Sequence, residues 1–217
     1  MSTPFIRNHH FNLIKNQANN LLNAIRTVAD LRVVETVRSS VEATIVELFP
    51  EASEEQLKLL RAVITLETAS DFQRYYASLE PFLTEFPRIT KDQIVKLFPK
   101  NKKLSIPDLQ SIDYRYVTYL SWVDVGSNKL FIVYERNGKF VGVEGRATPT
   151  NKKNYCFVCN KYEELALFSA VSKKRPANAS PDYYKAVGNY LCADSRECNK
   201  KLTDVTALEG FLRAVLE

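Results

Sequence analysis

Four cysteines and their spacing constrain this chain more than any other feature. Cys156 and Cys159 enclose Phe157-Val158; after 32 intervening residues, Cys192 and Cys198 enclose Ala193-Asp194-Ser195-Arg196-Glu197. None is left over. Disulfides do not persist in a reducing compartment, so two cysteine pairs that a fold brings together point to a metal. The first pair has the spacing of a knuckle, a tight turn whose backbone amides aim at thiolate sulfurs. The second pair straddles a helix start, where Asp194 or Ser195 can cap and Cys198 falls about one turn in, on the same side as Cys192. A knuckle followed by a ligand pair at a helix N-terminus is the plan of a treble-clef zinc finger. Four thiolates suit one zinc ion in a closed tetrahedral site, which leaves no position for water and makes the expected role structural. The same four residues would also fit a rubredoxin-like iron site, a redox pair, or thiols buried separately as small apolar side chains.

The rest of the chain has to supply cores. With 217 residues, 45% hydrophobic, it is long enough for one large or two small domains. Phe11, Ile14, Ala18, Leu21, Leu22, Ile25 and Val28 recur at a three/four spacing, which predicts an amphipathic helix. Val33, Val34, Val37, Val41, Ile45 and Leu48 predict a second, ended at Phe49-Pro50 because proline lacks a donor and disfavours helix in its predecessor. Ser53-Glu54-Glu55-Gln56 has the form of a capping box and opens a third helix through about Thr65. Phe72, Tyr75, Tyr76 and Leu79 mark a fourth, running into Pro81. Residues 1–82 therefore read as a helical bundle with short connections. Beyond Pro87 a short helix, Thr90 to Phe98, leads into Tyr-, Val-, Ile- and Trp-rich runs at Tyr114–Val125 and Lys129–Glu135. Asn137-Gly138 then precedes another such run, and this dipeptide is a strong signal for a tight hairpin turn. Residues 83–217 are expected to form an antiparallel-sheet domain carrying the zinc finger, an α+β architecture overall.

Charge divides at the same place. Residues 1–82 hold 8 basic and 10 acidic side chains, whereas residues 83–217 hold 22 and 15. A basic second half suits an acidic partner, whether nucleic acid or an acidic protein surface. No apolar run approaches the roughly 18 residues of a membrane helix, and the N-terminus turns polar directly after Ile6, so a cytoplasmic location is expected. The only histidines, His9 and His10, read as ordinary surface or helix-end residues with no nucleophile or carboxylate at catalytic spacing. No phosphate-cradling Gly-rich loop is present among the 6 glycines, and enzymatic activity is not expected.

Pro4-Phe5-Ile6-Arg7-Asn8 and Phe11-Asn12-Leu13-Ile14-Lys15 open the bundle. The sheet domain carries Tyr155-Cys156-Phe157-Val158-Cys159 and Gly188-Asn189-Tyr190-Leu191-Cys192-Ala193-Asp194-Ser195-Arg196-Glu197-Cys198-Asn199. Together they resemble the FusB-type fusidic-acid-resistance family over the whole chain. The resemblance implies a protein that binds elongation factor G and releases it from ribosomes on which fusidic acid has locked it, without altering the drug; a monomer with no direct drug binding is expected. It implies zinc held by Cys156, Cys159, Cys192 and Cys198, and a factor-binding surface of aromatic and lysine side chains near the finger. Phe157, Tyr184, Lys185 and Phe211 are the nearest matches. The residues give each a second reading. Phe157 sits between knuckle cysteines, where a side chain projects from the metal and makes a good anchor, or folds back on its own domain. Phe211 shares a helix face with Leu208, Leu212 and Val215, the pattern of a core residue. Lys173-Lys174-Arg175 precede Pro176 in a loop that either meets an acidic surface or stays solvated. A zinc-finger RNA-binding protein is the principal alternative function, and a drug-sequestering bundle is another.

Overall fold

The computed structural model describes residues 3–174, 177–178, 180 and 182–217; Arg175, Pro176 and Pro181 lie outside the described residues. The chain divides into two compact units, Met1–Thr84 and Glu85–Glu217.

The first unit is helical: α1 (Asn8–Thr27), α2 (Leu31–Glu47), α3 (Glu54–Arg61) and α4 (Ala69–Leu79). Ile14, Ala18 and Leu21 of α1 are fully buried, together with Ile45, Leu60 and Leu79 from the other three helices. The local starts are chemical. Ser53 and Gln56 form the expected capping box on α3, and Thr68 with Asp71 forms another on α4, each satisfying free amides of the first turn. The third helix is shorter than its periodicity suggests, because the chain tightens into a 3-10 turn at Ala62–Thr65. Arg38 of α2 donates to the carbonyls of Ile64 and Leu66 at this turn, replacing the helical partners they lack. The N-terminal segment is fastened by an Ile6–Leu83 bridge and by Thr84 N donating to Ile6 O.

His9 and His10 depart from the surface reading. Both lie in the first turn of α1, where His9 is buried and the His10 ring packs edge-on against Phe49 at 5.1 Å. Burial, followed by the nearby Arg7, lowers the pKa of His10 and favours its neutral form.

The second unit is built on a five-stranded antiparallel sheet in sequential order: β1 (Leu120–Asp124), β2 (Lys129–Arg136), β3 (Lys139–Tyr155), β4 (Tyr162–Val171) and β5 (Ala186–Cys192). It is joined by α5 (Lys91–Leu97), α6 (Ser195–Lys201) and α7 (Thr206–Leu216). Asn137 and Gly138 both take positive φ, 53° and 75°, as the tight turn from β2 to β3 requires. The apolar run from Tyr114 is not strand throughout. Asp113 accepts from Arg115 N and winds Tyr114–Tyr116 into a 3-10 turn, so pairing with β2 begins only at Leu120.

Period-two alternation along β2 sends its side chains into two cores. Leu130, Ile132 and Tyr134 join Phe168, Leu208, Phe211, Leu212 and Val215 on one face. Phe131 and Val133 join Phe86, Ile94 and Phe98 on the other. Helices cover both faces, which explains why β2 reads as a continuous apolar run.

Close packing makes one glycine sensitive. A Cβ on Gly145 of β3 would stand 2.4 Å from Ser169 O and 2.6 Å from the Phe168 ring. Since a neighbouring strand's backbone cannot retreat without breaking its ladder, Gly145→Ala should destabilise this unit by about 1–3 kcal/mol. The single tryptophan, Trp122, lies on β1, so a melt followed by its fluorescence reports on this unit. An unchanged midpoint would contradict the packing argument. Among the described residues, no helix is long and apolar enough to cross a membrane.

Candidate metal centre and partner surface

The end of β3 and the start of β4 form the two legs of the knuckle. Asn160 turns the chain with a φ of 50°. Its amide donates to Cys156 O at 2.9 Å, and Cys156 N donates to Lys161 O at 3.0 Å. Val158 N donates to the Cys156 sulfur at 3.4 Å, the amide-to-thiolate contact that the C-x-x-C spacing predicts. Phe157 N donates to Tyr190 O at 2.9 Å, tying the knuckle to β5 and so to Cys192 at that strand's end. Asp194 then caps α6, accepting from Arg196 N at 2.8 Å, and Cys198 falls one turn inside.

These elements bring all four cysteines together. Each is at most 3% exposed, and the four sulfurs lie within 4.8 Å of one another. No disulfide joins them. The sulfurs of Cys156 and Cys198 are 3.9 Å apart, and those of Cys159 and Cys192 are 3.6 Å apart. A tetrahedron of thiolates at the usual zinc–sulfur distance has edges of about 3.8 Å, so the donor set fits the ion in type, number and spacing. Hydrogen bonds from Cys159, Cys192 and Cys198 hold the Cys156 thiol well below its ordinary value, and the reciprocal bond with Cys156 pushes Cys198 far above it. Four sulfurs this close do not all ionise by themselves; a divalent cation among them allows it.

Two residues without a predicted role complete this region. Asn199, buried beside Cys198, accepts from Thr118 N at 2.7 Å and Tyr119 N at 3.3 Å, and donates to Tyr119 O at 2.9 Å and Ser195 O at 3.0 Å. One side chain thereby clamps the entry to β1 onto α6. Tyr119, 1% exposed, belongs to the same core cluster as the four cysteines. Burial, then the charge of Cys198, pushes its phenol well above the ordinary value. The tail of the quoted C-terminal motif already contained Asn199, but nothing in the sequence near Tyr119 linked it to cysteines 37 or more residues away.

The residues expected at a partner surface are not equivalent. Tyr184 is 73% exposed and Lys185 is exposed, both just before β5. Phe157 is half-buried, with its ring 5.3 Å from that of Phe211. Phe211 points inward: it is only 4% exposed and its ring also meets Phe168 at 5.6 Å. The helix-face pattern of α7 therefore marks core, and Phe211 can serve a surface only by supporting Phe157. Tyr184 stands six residues from Tyr190, the knuckle's hydrogen-bond partner, or roughly 20 Å along an extended chain. The four residues thus do not form one cluster. Other exposed aromatics lie closer to the knuckle: Tyr190 on β5, and the cross-strand pair Tyr155 and Tyr162 bracketing the knuckle with rings 5.7 Å apart. Their signal in the sequence was a tyrosine directly before the first cysteine pair and another three residues after it. Exposed Lys152, Lys153 and Lys161 accompany them.

Residues 5–87 match the family described as elongation factor G-binding protein, N-terminal, and residues 93–210 match the FBP C-terminal treble-clef zinc-finger. Among solved structures, that of the fusidic acid resistance protein FusC is similar, with 28% sequence identity, a TM-score of 0.82 and coverage of 97% of each chain. Comparison with curated proteins found no match. The treble-clef match implies one structural zinc, which the cysteine cluster accommodates. With the helical unit and the zinc-finger unit each matched over most of its length, and the cysteine quartet assembled as that finger requires, the chain belongs to the FusB-type family of elongation factor G-binding proteins.

Proposed function

We propose that this protein binds elongation factor G one to one in the cytoplasm through residues 83–217 and shortens the factor's stay on ribosomes stalled by fusidic acid. Membership of the elongation factor G-binding family, together with likeness to FusC over 97% of the chain, is the observation that carries this reading. Cys156, Cys159, Cys192 and Cys198 hold the zinc, whose work is to fix the knuckle and α6. Such a site has no open coordination position and offers no chemistry on a drug. What remains is differential binding. The protein engages a conformation of the factor that the stalled ribosome does not accommodate, and each 1.4 kcal/mol of that preference shifts release about tenfold. Phe157, Tyr184 and Lys185 make the contact, in company with the exposed tyrosines near the knuckle.

The test is the dissociation rate of labelled elongation factor G from fusidic-acid-stalled ribosomes. Adding the protein should accelerate it, with the drug recovered chemically unchanged. An unaltered rate, or a modified drug, overturns the proposal. The same tyrosines and lysines would suit stacking and backbone contacts on single-stranded RNA. That alternative requires RNA affinity that falls steeply with salt and persists in the absence of the factor.

A further inference from the structure

A buried hydroxyl is expensive unless something accepts its proton, and native interiors rarely leave one alone. The Tyr119 hydroxyl is fully buried and has no hydrogen-bond partner among the described residues. It is not in an apolar void. It lies in the buried cluster that contains all four cysteines. Its backbone is held in place on both sides, N–H and C=O, by Asn199, the residue after Cys198. Ser195 Oγ, donating to Ser121 O at 2.8 Å, adds a second tie between β1 and α6. The backbone of Tyr119 is therefore fixed beside α6, and its hydroxyl is buried in the cluster that the four cysteines share.

A tetrathiolate zinc site carries net negative charge in a dry interior, so each sulfur gains from a donor aimed at it. The knuckle supplies such a donor to Cys156 through Val158 N. The Cys198 side chain is fully buried, with its sulfur 3.9 Å from that of Cys156. We propose that Tyr119 is a positioning residue for the metal centre, its hydroxyl donating to the Cys198 sulfur as a thiolate ligand, with Asn199 clamping it there. A phenol is a protonated donor throughout the neutral pH range. The bond satisfies the orphan hydroxyl and spreads the charge of the ligand, and it makes the seam between β1 and α6 part of the site. Outer-shell partners of this kind carry about 10–100-fold in metal affinity.

The inference rests on the four-cysteine ligand set proposed above, and the experiment separates the two. Zinc content is measured first in the wild-type protein and in Tyr119→Phe, which removes one oxygen and keeps the ring. Zinc transfer to a chromophoric chelator is then timed for both. One zinc per chain in each, with release at least about tenfold faster from Tyr119→Phe, is the expected result. The cobalt-substituted proteins should differ in their thiolate-to-metal charge-transfer bands, a readout that loss of packing alone would not move. Equal release rates and identical bands would overturn the role of Tyr119 while leaving the ligand set intact. Absence of zinc from the wild-type protein would overturn both. A third measurement needs no variant: in the wild-type protein loaded with cadmium-113, the Tyr119 hydroxyl proton should appear as a slowly exchanging resonance coupled to the metal. Its absence would count against the bond even if Tyr119→Phe did not fold.

Discussion

Cys198→Ser should abolish stoichiometric zinc binding and unfold the sheet unit while the helical unit stays folded. Cys198 lies one turn inside α6, fully buried, with its sulfur 3.9 Å from that of Cys156. Serine places a hydroxyl where the ion requires a thiolate, leaving three ligands and an unsatisfied polar atom. Structural zinc contributes apparent binding free energies on the order of 10–16 kcal/mol at neutral pH, which equals or exceeds the 5–15 kcal/mol stability of a typical domain. The ion's loss therefore decides whether the unit folds. The two units can be read separately in the intact chain. Trp122 fluorescence reports on the sheet unit alone, whereas α1 to α4 dominate the helical far-ultraviolet signal. The variant should show tryptophan emission shifted to the red at room temperature, with most of the helical signal and its melt retained. Cys156→Ser, Cys159→Ser and Cys192→Ser should behave alike. Retention of one zinc per chain and an unchanged tryptophan transition in any of the four would refute that residue's role as a ligand.

Tyr184→Ala should weaken elongation factor G binding by about thirtyfold or more, the 2 kcal/mol of an interface hot spot, without moving the melting temperature of either unit. The reasoning is one of burial. Tyr184 leaves 73% of its surface in solvent, so its truncation removes little of the fold; a rigid aromatic held at the mouth of a strand is also a low-entropy anchor for a partner. Lys185→Ala should cost less at high ionic strength than at low, because an exposed charge acts on encounter and is screened. Phe157→Ala should weaken binding too, with some loss of stability, since its ring also packs on Phe211. Phe211→Ala should behave differently, lowering stability by about 3–5 kcal/mol as a core deletion and reducing binding only as a consequence. Titration calorimetry with the full-length variants, beside their thermal melts, separates these cases. Normal affinity in Tyr184→Ala and Lys185→Ala alike would remove the β5 entrance from the interface.

The sequence by itself determined what depends on a few consecutive residues. The two cysteine spacings specified a knuckle and a capped helix, and Ser53 with Gln56 specified a helix start. Asn137-Gly138 specified a tight turn, and Pro50 a stop. Each is a hydrogen-bond or dihedral requirement satisfied within one turn of chain, so neighbours in sequence suffice to state it. The three/four spacing in the first unit and the β-rich runs in the second identified the class of each element for the same reason.

Which face of an element is covered, and by what, was decided only by the tertiary structure. Periodicity places Phe211 with Leu208 and Leu212, but whether that stripe meets a partner or a sheet depends on β4 supplying Phe168 across the gap. His10 became a half-buried group because Phe49, some 40 residues later, returns to lie against its ring. Tyr119 and Asn199, 80 residues apart, meet because α6, which follows the strand at the opposite edge of the sheet, reaches back to β1. A side chain's hydrogen-bonding capacity is written in its residue type, but its acceptor is chosen by whichever distant backbone or sulfur the packed chain carries into reach. For that reason the metal site could be read from four cysteines, whereas the tyrosine and asparagine beside it could not.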